Sequence, residues 1–271
     1  MKAARLLGVV VLVLVLATGA RVFTRNVPDL RGPLPPDRIL VDTEELVYEV
    51  SWTFFKLGTI RVTSRRNFFA DAYIDSYESV PIVDLHAMNA TLMDSSFSSM
   101  VSSSLDLKDD GLWHGLAYQY DRAEGRLYVD EVIHAAPGKP PQSARRVDTI
   151  EVGKGEFVDG LSIAFYPRRF VHERRVVTVP TVLYGKLGTT AFDYTNGGTT
   201  ETIEAVDKPV RVIEVNGATT VVGVYGMTGD FTGWFSDDSA AVPLKGKLKV
   251  LIGTVDVELI RWRRPGWTPP T

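Results

Sequence analysis

Four histidines and thirty-three acidic residues are the side chains of this 271-residue chain with the most obvious capacity for chemistry. There is no cysteine, which removes thiolate nucleophiles, disulfides, Cys-ligated zinc, iron–sulfur clusters and a lipid-modified N-terminal cysteine. His172-Glu173 is followed by Arg174-Arg175-Val176, so it is not the first half of an H-E-x-x-H zinc pair, and His86, His114 and His134 share no ligand spacing. Gly185-Lys186 is followed by Leu187 and lacks the upstream glycine of a phosphate loop, and no G-x-S-x-G nucleophile elbow occurs. Asp109-Asp110-Gly111 reads as a turn. Asp237-Asp238 lies in a strand-like stretch, where neighbouring side chains face opposite ways and cannot share a substrate. The serines between Ser95 and Ser104 have no base beside them and read as a polar loop. No metal set or cofactor fingerprint emerges, so no cofactor and no catalytic residue is assigned. A hydrolase with carboxylates recruited from separate strands stays open, because sequence order does not exclude it. Arginine doublets at 65–66, 145–146, 168–169 and 174–175 are solvated faces or, alternatively, a ring of charge for anionic headgroups.

What remains is apolar binding chemistry. Tyr48 and Trp52 share one face with Leu46 and Val50, alternating with Val47, Glu49 and Ser51 at a period of two, the pattern of a half-buried strand with large side chains on one side. That face can line a ligand cavity or form solid core. The strand must be one of many. After a turn at 54–58, residues 59–65 alternate again. Strands at 116–120 and 126–133 flank Ala123-Glu124-Gly125. The β-branched run 176–182 holds Pro180, which places it at a sheet edge. Asn196-Gly197-Gly198, Asn216-Gly217 and Gly253-Thr254 are hairpin turns between alternating flanks. Helical signals are few. Asp159 can cap a short helix over 160–165 that stops at Pro167, and 81–99 carries Ile82, Leu85, Met88 and Leu92 near helical spacing. The fold class is therefore mainly β: one large, strongly curved antiparallel sheet or half-open barrel of about ten strands, with one or two covering helices.

Composition sets the class of partner. A chain 45% hydrophobic and 23% charged is globular rather than disordered. A net charge of −3 gives no basic surface for a nucleic acid. Residues 1–20, with Lys2 and Arg5, an uncharged run from Leu6 to Thr18 and the small residues Thr18-Gly19-Ala20, have the three-part form of a signal peptide. The run would rise about 20 Å as a helix, short of a hydrocarbon core of about 30 Å. Cleavage near Ala20 and retention as an inner-membrane anchor both remain open, and either makes the chain extracytoplasmic, most simply periplasmic. Residues 21–39 are a proline-rich spacer, 40–264 one β-rich domain, and 265–271 a loose tail.

Three ordered segments carry a resemblance: Glu45 to Trp52 with Gly58; Asp159-Gly160-Leu161-Ser162 with Phe165, Tyr166 and Arg168; and Trp234-Phe235-Ser236-Asp237-Asp238 with Pro243 and Gly253. Together they resemble the exported bacterial proteins of the domain of unknown function 3108 family, with Glu44 standing where that family has a glycine. The resemblance implies an envelope protein with a curved antiparallel sheet, similar in shape to the periplasmic lipoprotein carriers. It implies structural roles for Asp159, Ser162, Arg168, Trp234, Ser236 and Asp237, and it brings no catalytic residues. The expectation is a non-enzymatic binding or carrier protein for a lipid or other amphipathic envelope ligand, with Tyr48 and Trp52 facing the ligand. The alternatives are a structural or protein-interaction module of the envelope, and a hydrolase of envelope polysaccharide.

Overall fold

The computed structural model describes residues 32–80, 84–221, 227–250 and 253–271. The leader, most of the proline-rich spacer and residues 81–83 lie outside them. Alternation of apolar and polar side chains dominates the sequence, and it produces fifteen strands in one antiparallel sheet among the described residues. The strands are β1 (Glu44–Trp52), β2 (Phe55–Ser64), β3 (Phe69–Ser76), β4 (His86–Met93), β5 (Ser99–Leu107), β6 (Trp113–Asp121), β7 (Arg126–His134) and β8 (Pro141–Glu151). They continue as β9 (Val176–Leu183), β10 (Lys186–Asp193), β11 (Gly198–Glu201), β12 (Val210–Thr219), β13 (Met227–Ser236), β14 (Pro243–Val250) and β15 (Thr254–Arg263). The spatial order runs β8-β7-β6-β5-β4-β3-β2-β1-β15-β14-β13-β12-β10-β9, with β11 beside β12. The sheet curls without closing, because its end strands β8 and β9 do not pair.

Five more strands form than the turn signals indicate, and the reasons are local. Residues 86–93 are β4 rather than helix, with Asn89, Thr91 and Met93 turned to the inside and Met88, Ala90 and Leu92 away from it. The serine run does not stay a loop. Asp94 Oδ1 accepts from the Ser96 and Ser98 amides to make the turn, and Ser99 opens β5. Asn216-Gly217 is not a hairpin: β12 runs straight through it. Gly217 pairs with Phe231, and a Cβ there would sit 2.1 Å from that ring, so the glycine makes room for a side chain instead of a turn. Phe192 then meets Phe231 edge-on at 5.8 Å across the gap. Asn196-Gly197-Gly198 likewise joins no hairpin; β10 and β11 lie end to end along β12 with an irregularity between them. The hairpins at 123–125 and 253–254 form as expected. β9 is an edge strand, as Pro180 requires.

The inner face changes size across the sheet. Leu46, Tyr48 and Val50 of β1 face Val62, Ile60 and Gly58 of β2. Gly58 is obligatory, because a Cβ would lie 2.1 Å from the Asp75 carbonyl oxygen. From β3 to β5 the inward residues shrink to Ala70, Ala72, Ala87, Asn89, Thr91, Ser102 and Ser104. Among the described residues no α-helix fills the space this leaves. The α-helix expected over 160–165 is instead a pair of 3-10 turns, Ser162–Ala164 and Tyr166–Phe170, in a segment that runs through the interior as a plug. Phe165, Tyr166, Phe170 and Val171 are buried in the main core with Tyr48, Phe97, Phe192 and Phe235. The first described residues and the C-terminal segment join this core. Leu34 is buried and bonded to the Arg169 carbonyl, and one helical turn, α1 (Pro36–Ile39), follows. The C-terminal segment, expected as a loose tail, is tied down: Trp267 donates to Asp238 Oδ2 at 2.8 Å, and Pro270 O accepts from the Arg211 amide at 2.7 Å.

Candidate functional site

The plug is held at two places. At the rear, Arg168 is fully buried, its guanidinium donating to Glu44 Oε1 at 2.9 Å, Ala240 O at 2.9 Å and Ile39 O at 3.4 Å. Arg264 reaches the same carboxylate from the end of β15 and donates to Ile39 O at 2.8 Å and Arg38 O at 2.7 Å. Burial alone would raise the Glu44 pKa, but Arg168 and Arg264 outweigh it and hold the carboxyl below its ordinary value. Burial pulls the Arg264 pKa down, against the Glu44 charge. One carboxylate thus faces two guanidinium groups, and the surplus positive charge is spread over three carbonyl oxygens and the Phe165 ring, 5.6 Å from the Arg168 carbon. Tyr48 sits beside this cluster, its hydroxyl donating to Pro243 O at 2.9 Å. Burial first, then the Glu44 charge, keeps that phenol well above its ordinary pKa.

At the front, Phe157 and Val158 tie the β9 edge to the start of β5. Val158 donates to Pro180 O at 2.9 Å and accepts from the Val182 amide at 2.9 Å, forming an isolated parallel bridge to the β9 edge. On the opposite side, the Ser99 amide donates to Phe157 O at 3.0 Å, and the Phe157 amide donates to Ser98 Oγ at 2.9 Å. Asp159 locks the junction. Its Oδ1 accepts from the Leu161 and Ser162 amides at 2.8 and 2.7 Å, and its Oδ2 accepts from Thr91 and Ser99 hydroxyls at 2.8 and 2.6 Å. The Asp159 amide in turn donates to Ser162 Oγ at 2.8 Å. The aspartate therefore caps the 3-10 turn and also bolts it to β4 and β5.

A cleft of about 30 Å³ opens where the plug, β9 and the β4–β6 wall meet. Tyr118, Leu127, Phe157, Leu161, Val182 and Leu183 make its apolar lining, and Asn89, Ser102, Ser104 and Asp159 its polar side. Asn89 is buried, and its Nδ2 has no hydrogen-bond partner among the described residues, so the cleft presents a donor. Asp159 Oδ1 and Oδ2 each accept two hydrogen bonds from within the chain. Among the described residues it is the one carboxylate lining the cleft, and none there stands as the second member that two-carboxylate hydrolysis uses.

The structure separates the sequence candidates into groups. Tyr48 lies in the main core, and Trp52 is half-buried at the far end of β1; neither lines the cleft. Asp159 and Ser162 meet in the cap, and Arg168 meets Glu44 and Ala240. Ser236 Oγ accepts from the Val242 amide at 2.7 Å and donates to Asp238 Oδ1 at 3.0 Å. Backbone amides of the following turn bind Asp238 rather than Asp237. The Asp237 amide donates to Arg211 O, and its Oδ1 lies 3.7 Å from His172 Nδ1 without a hydrogen bond. Trp234 is core, with Lys245 5.8 Å over its ring. The arginine doublets form no ring: Arg65, Arg66, Arg145, Arg146 and Arg175 each pair with a nearby acid, and Arg168 is buried. Sequence reasoning missed Asn89, Tyr118, Phe157, Gly160 and Arg264. The available signal was the run of small inward residues over 87–104, which leaves room beside this part of the sheet.

No family model matches the chain, and no curated protein matches it. Solved structures do. A β-barrel-like protein of domain of unknown function DUF1849 from Brucella abortus superposes with a TM-score of 0.51 at 9% identity, over 83% of this chain and 98% of that one. A DUF1089 family protein from Pseudomonas aeruginosa covers 83% of this chain and 95% of that one at 7% identity, with a TM-score of 0.38. The Brucella likeness establishes a barrel-like fold shared with a protein of unknown function.

Proposed function

We propose that the protein is a non-enzymatic binding or carrier protein of the cell envelope that takes a lipid or other amphipathic ligand in the cleft between β4–β6 and β9. One observation carries the reading: the curled sheet is left open, and a plug bonded to its β9 edge and to β5 covers an apolar wall beside the Asn89 donor. About 30 Å³ holds one or two water molecules, whereas pockets for drug-sized ligands run to about 300–1,000 Å³. The ligand therefore enters by displacing Phe157–Leu161 from the wall, and its chain replaces their contacts with Tyr118, Leu127 and Val182. The leader-like N-terminus supports an extracytoplasmic location, and the three ordered motifs support kinship with the domain of unknown function 3108 family.

The runner-up, a structural or interaction module of the envelope, is favoured by one observation: the main interior is filled by Tyr48, Phe97, Phe165, Phe192 and Phe235, each at or below 2% exposure. Native mass spectrometry of protein purified without detergent separates the two readings. A Gly160→Leu variant is the control, since a Cβ on this cleft residue would meet nothing nearer than Leu183 Cδ2 at 3.8 Å. The carrier reading expects a lipid-sized adduct on the native chain and its loss in a folded Gly160→Leu protein. A bare native chain that takes up no fatty-acid probe would put the structural module in its place.

A further inference from the structure

The turn between β1 and β2 exposes two adjacent aromatic rings. Phe54 is 77% and Phe55 55% exposed, and the ring centroids lie 4.4 Å apart. Large apolar side chains are rarely left together in water without a partner. The turn is also strained. Trp52 pairs with Phe55, leaving a two-residue turn whose first residue, Thr53, has φ +61°. Glycine is the usual occupant of that position, and a β-branched residue there is unfavourable. Thr53 Oγ1 lies 3.3 Å from where a Gly253 Cβ would stand, so the tip leans on the neighbouring β14–β15 connection.

The topology places other apolar groups at the same end. In an antiparallel meander alternate connections share one end, so the C-terminal ends of β1, β3, β5, β7, β9, β12 and β14 lie at one end of the sheet. Leu107, at the end of β5, and Leu187, at the start of β10, are 37% and 45% exposed at that end. These groups are separate points along a rim, not the walls of a groove, and a rim of points suits a planar apolar surface. Lys56, 58% exposed and 2.7 Å from Glu49, stands behind the rings, where an ammonium can reach headgroups while the rings enter the acyl boundary. The apolar run Leu6–Thr18, read from the sequence as a leader or an anchor, would bring this chain to a membrane.

We infer that the rim carrying Phe54, Phe55, Leu107 and Leu187 docks on a phospholipid bilayer surface. The β9–β10 turn, which follows the cleft-lining residue Leu183, lies at the same end, so docking brings that turn to the bilayer. The inference stands apart from the cleft reading: a rim can dock whether or not the cleft holds lipid.

The absence of native cysteine makes a direct test simple. Phe54→Cys, Leu187→Cys and, as a control at the opposite end, Val176→Cys are each labelled with an environment-sensitive fluorophore in the full chain. They are then mixed with vesicles of equal parts phosphatidylcholine and phosphatidylglycerol, with and without a lipid carrying a quencher in its acyl chain. The expected result is a blue shift and acyl-depth quenching at positions 54 and 187, with neither at 176. Phe54→Ser/Phe55→Ser should raise the vesicle concentration needed for half the Leu187 response by at least about tenfold, the factor for losing one buried apolar side chain. An unchanged signal at 54, or an equal signal at 176, overturns the inference, even if the N-terminal run itself holds the chain on the vesicles.

Discussion

Replacing Glu44 by glutamine tests whether the buried charge cluster holds the plug. The glutamine keeps the shape but leaves Arg168 and Arg264 facing each other with no anion, both at or below 7% exposure. Removing one partner of a buried ion pair costs about 3–5 kcal/mol, because the remaining charge is uncompensated. The carbonyls of Ile39, Arg38 and Ala240 keep their bonds to the guanidinium groups, so the lower half of that range is expected, about 3–4 kcal/mol. At this chain length 1 kcal/mol moves the midpoint by about 2–4 °C, so thermal unfolding followed by circular dichroism should fall by roughly 6–16 °C. Arg168→Met in the Glu44→Gln background should recover part of the loss, because one of the two stranded charges is removed. A Glu44→Gln midpoint within about 2 °C of the native one would refute the cluster as the rear anchor.

Acid should act through the same group. The Glu44 pKa is held below its ordinary 4.5 in the folded chain, so its stabilisation is complete above about pH 4.5 and is lost as the pH falls through the folded value; urea unfolding across that window should show a slope that Glu44→Gln lacks. Asp159→Asn should loosen the front of the plug, because an amide cannot accept at both positions, and limited proteolysis should then cut near 155–161 faster while the β circular dichroism stays. Gly58→Ala should destabilise more than Gly160→Ala in urea titrations, because the first pushes on the Asp75 backbone and the second meets only a side chain at 3.8 Å. Tyr48→Phe leaves Pro243 O without its buried donor, a loss of about 1–2 kcal/mol readable in the same titrations.

Much of the sheet was legible in the sequence. Period-two alternation located β1 and β2, because one buried face enforces it; turn residues located β6, β7 and the β14–β15 hairpin, and the β-branched run located β9. The failures have physical causes. Asn-Gly at 216–217 is the composition of a turn, yet the glycine serves the Phe231 ring, a contact from another strand that no local pattern carries. Leu85, Met88 and Leu92 fall at helical spacing by coincidence, while Asn89, Thr91 and Met93 make the inner face. The plug was partly visible: Asp159 announced its cap, but the Thr91 and Ser99 hydroxyls that bind its second oxygen lie some sixty residues away. Tyr48 and Trp52 drew attention as large side chains, yet the cleft sits against the small ones, since room for a ligand is marked by what the wall omits.

The central claim is that the cleft takes an amphipathic ligand by displacing the front of the plug. Methyl NMR of the leucine and valine side chains, during titration with a saturated fatty acid below its micelle concentration, addresses it most directly. The account predicts saturable shifts at Leu127, Leu161, Val182 and Leu183, with Leu46 and Val50 in the main core unmoved. Unchanged cleft methyls at saturating fatty acid would contradict it.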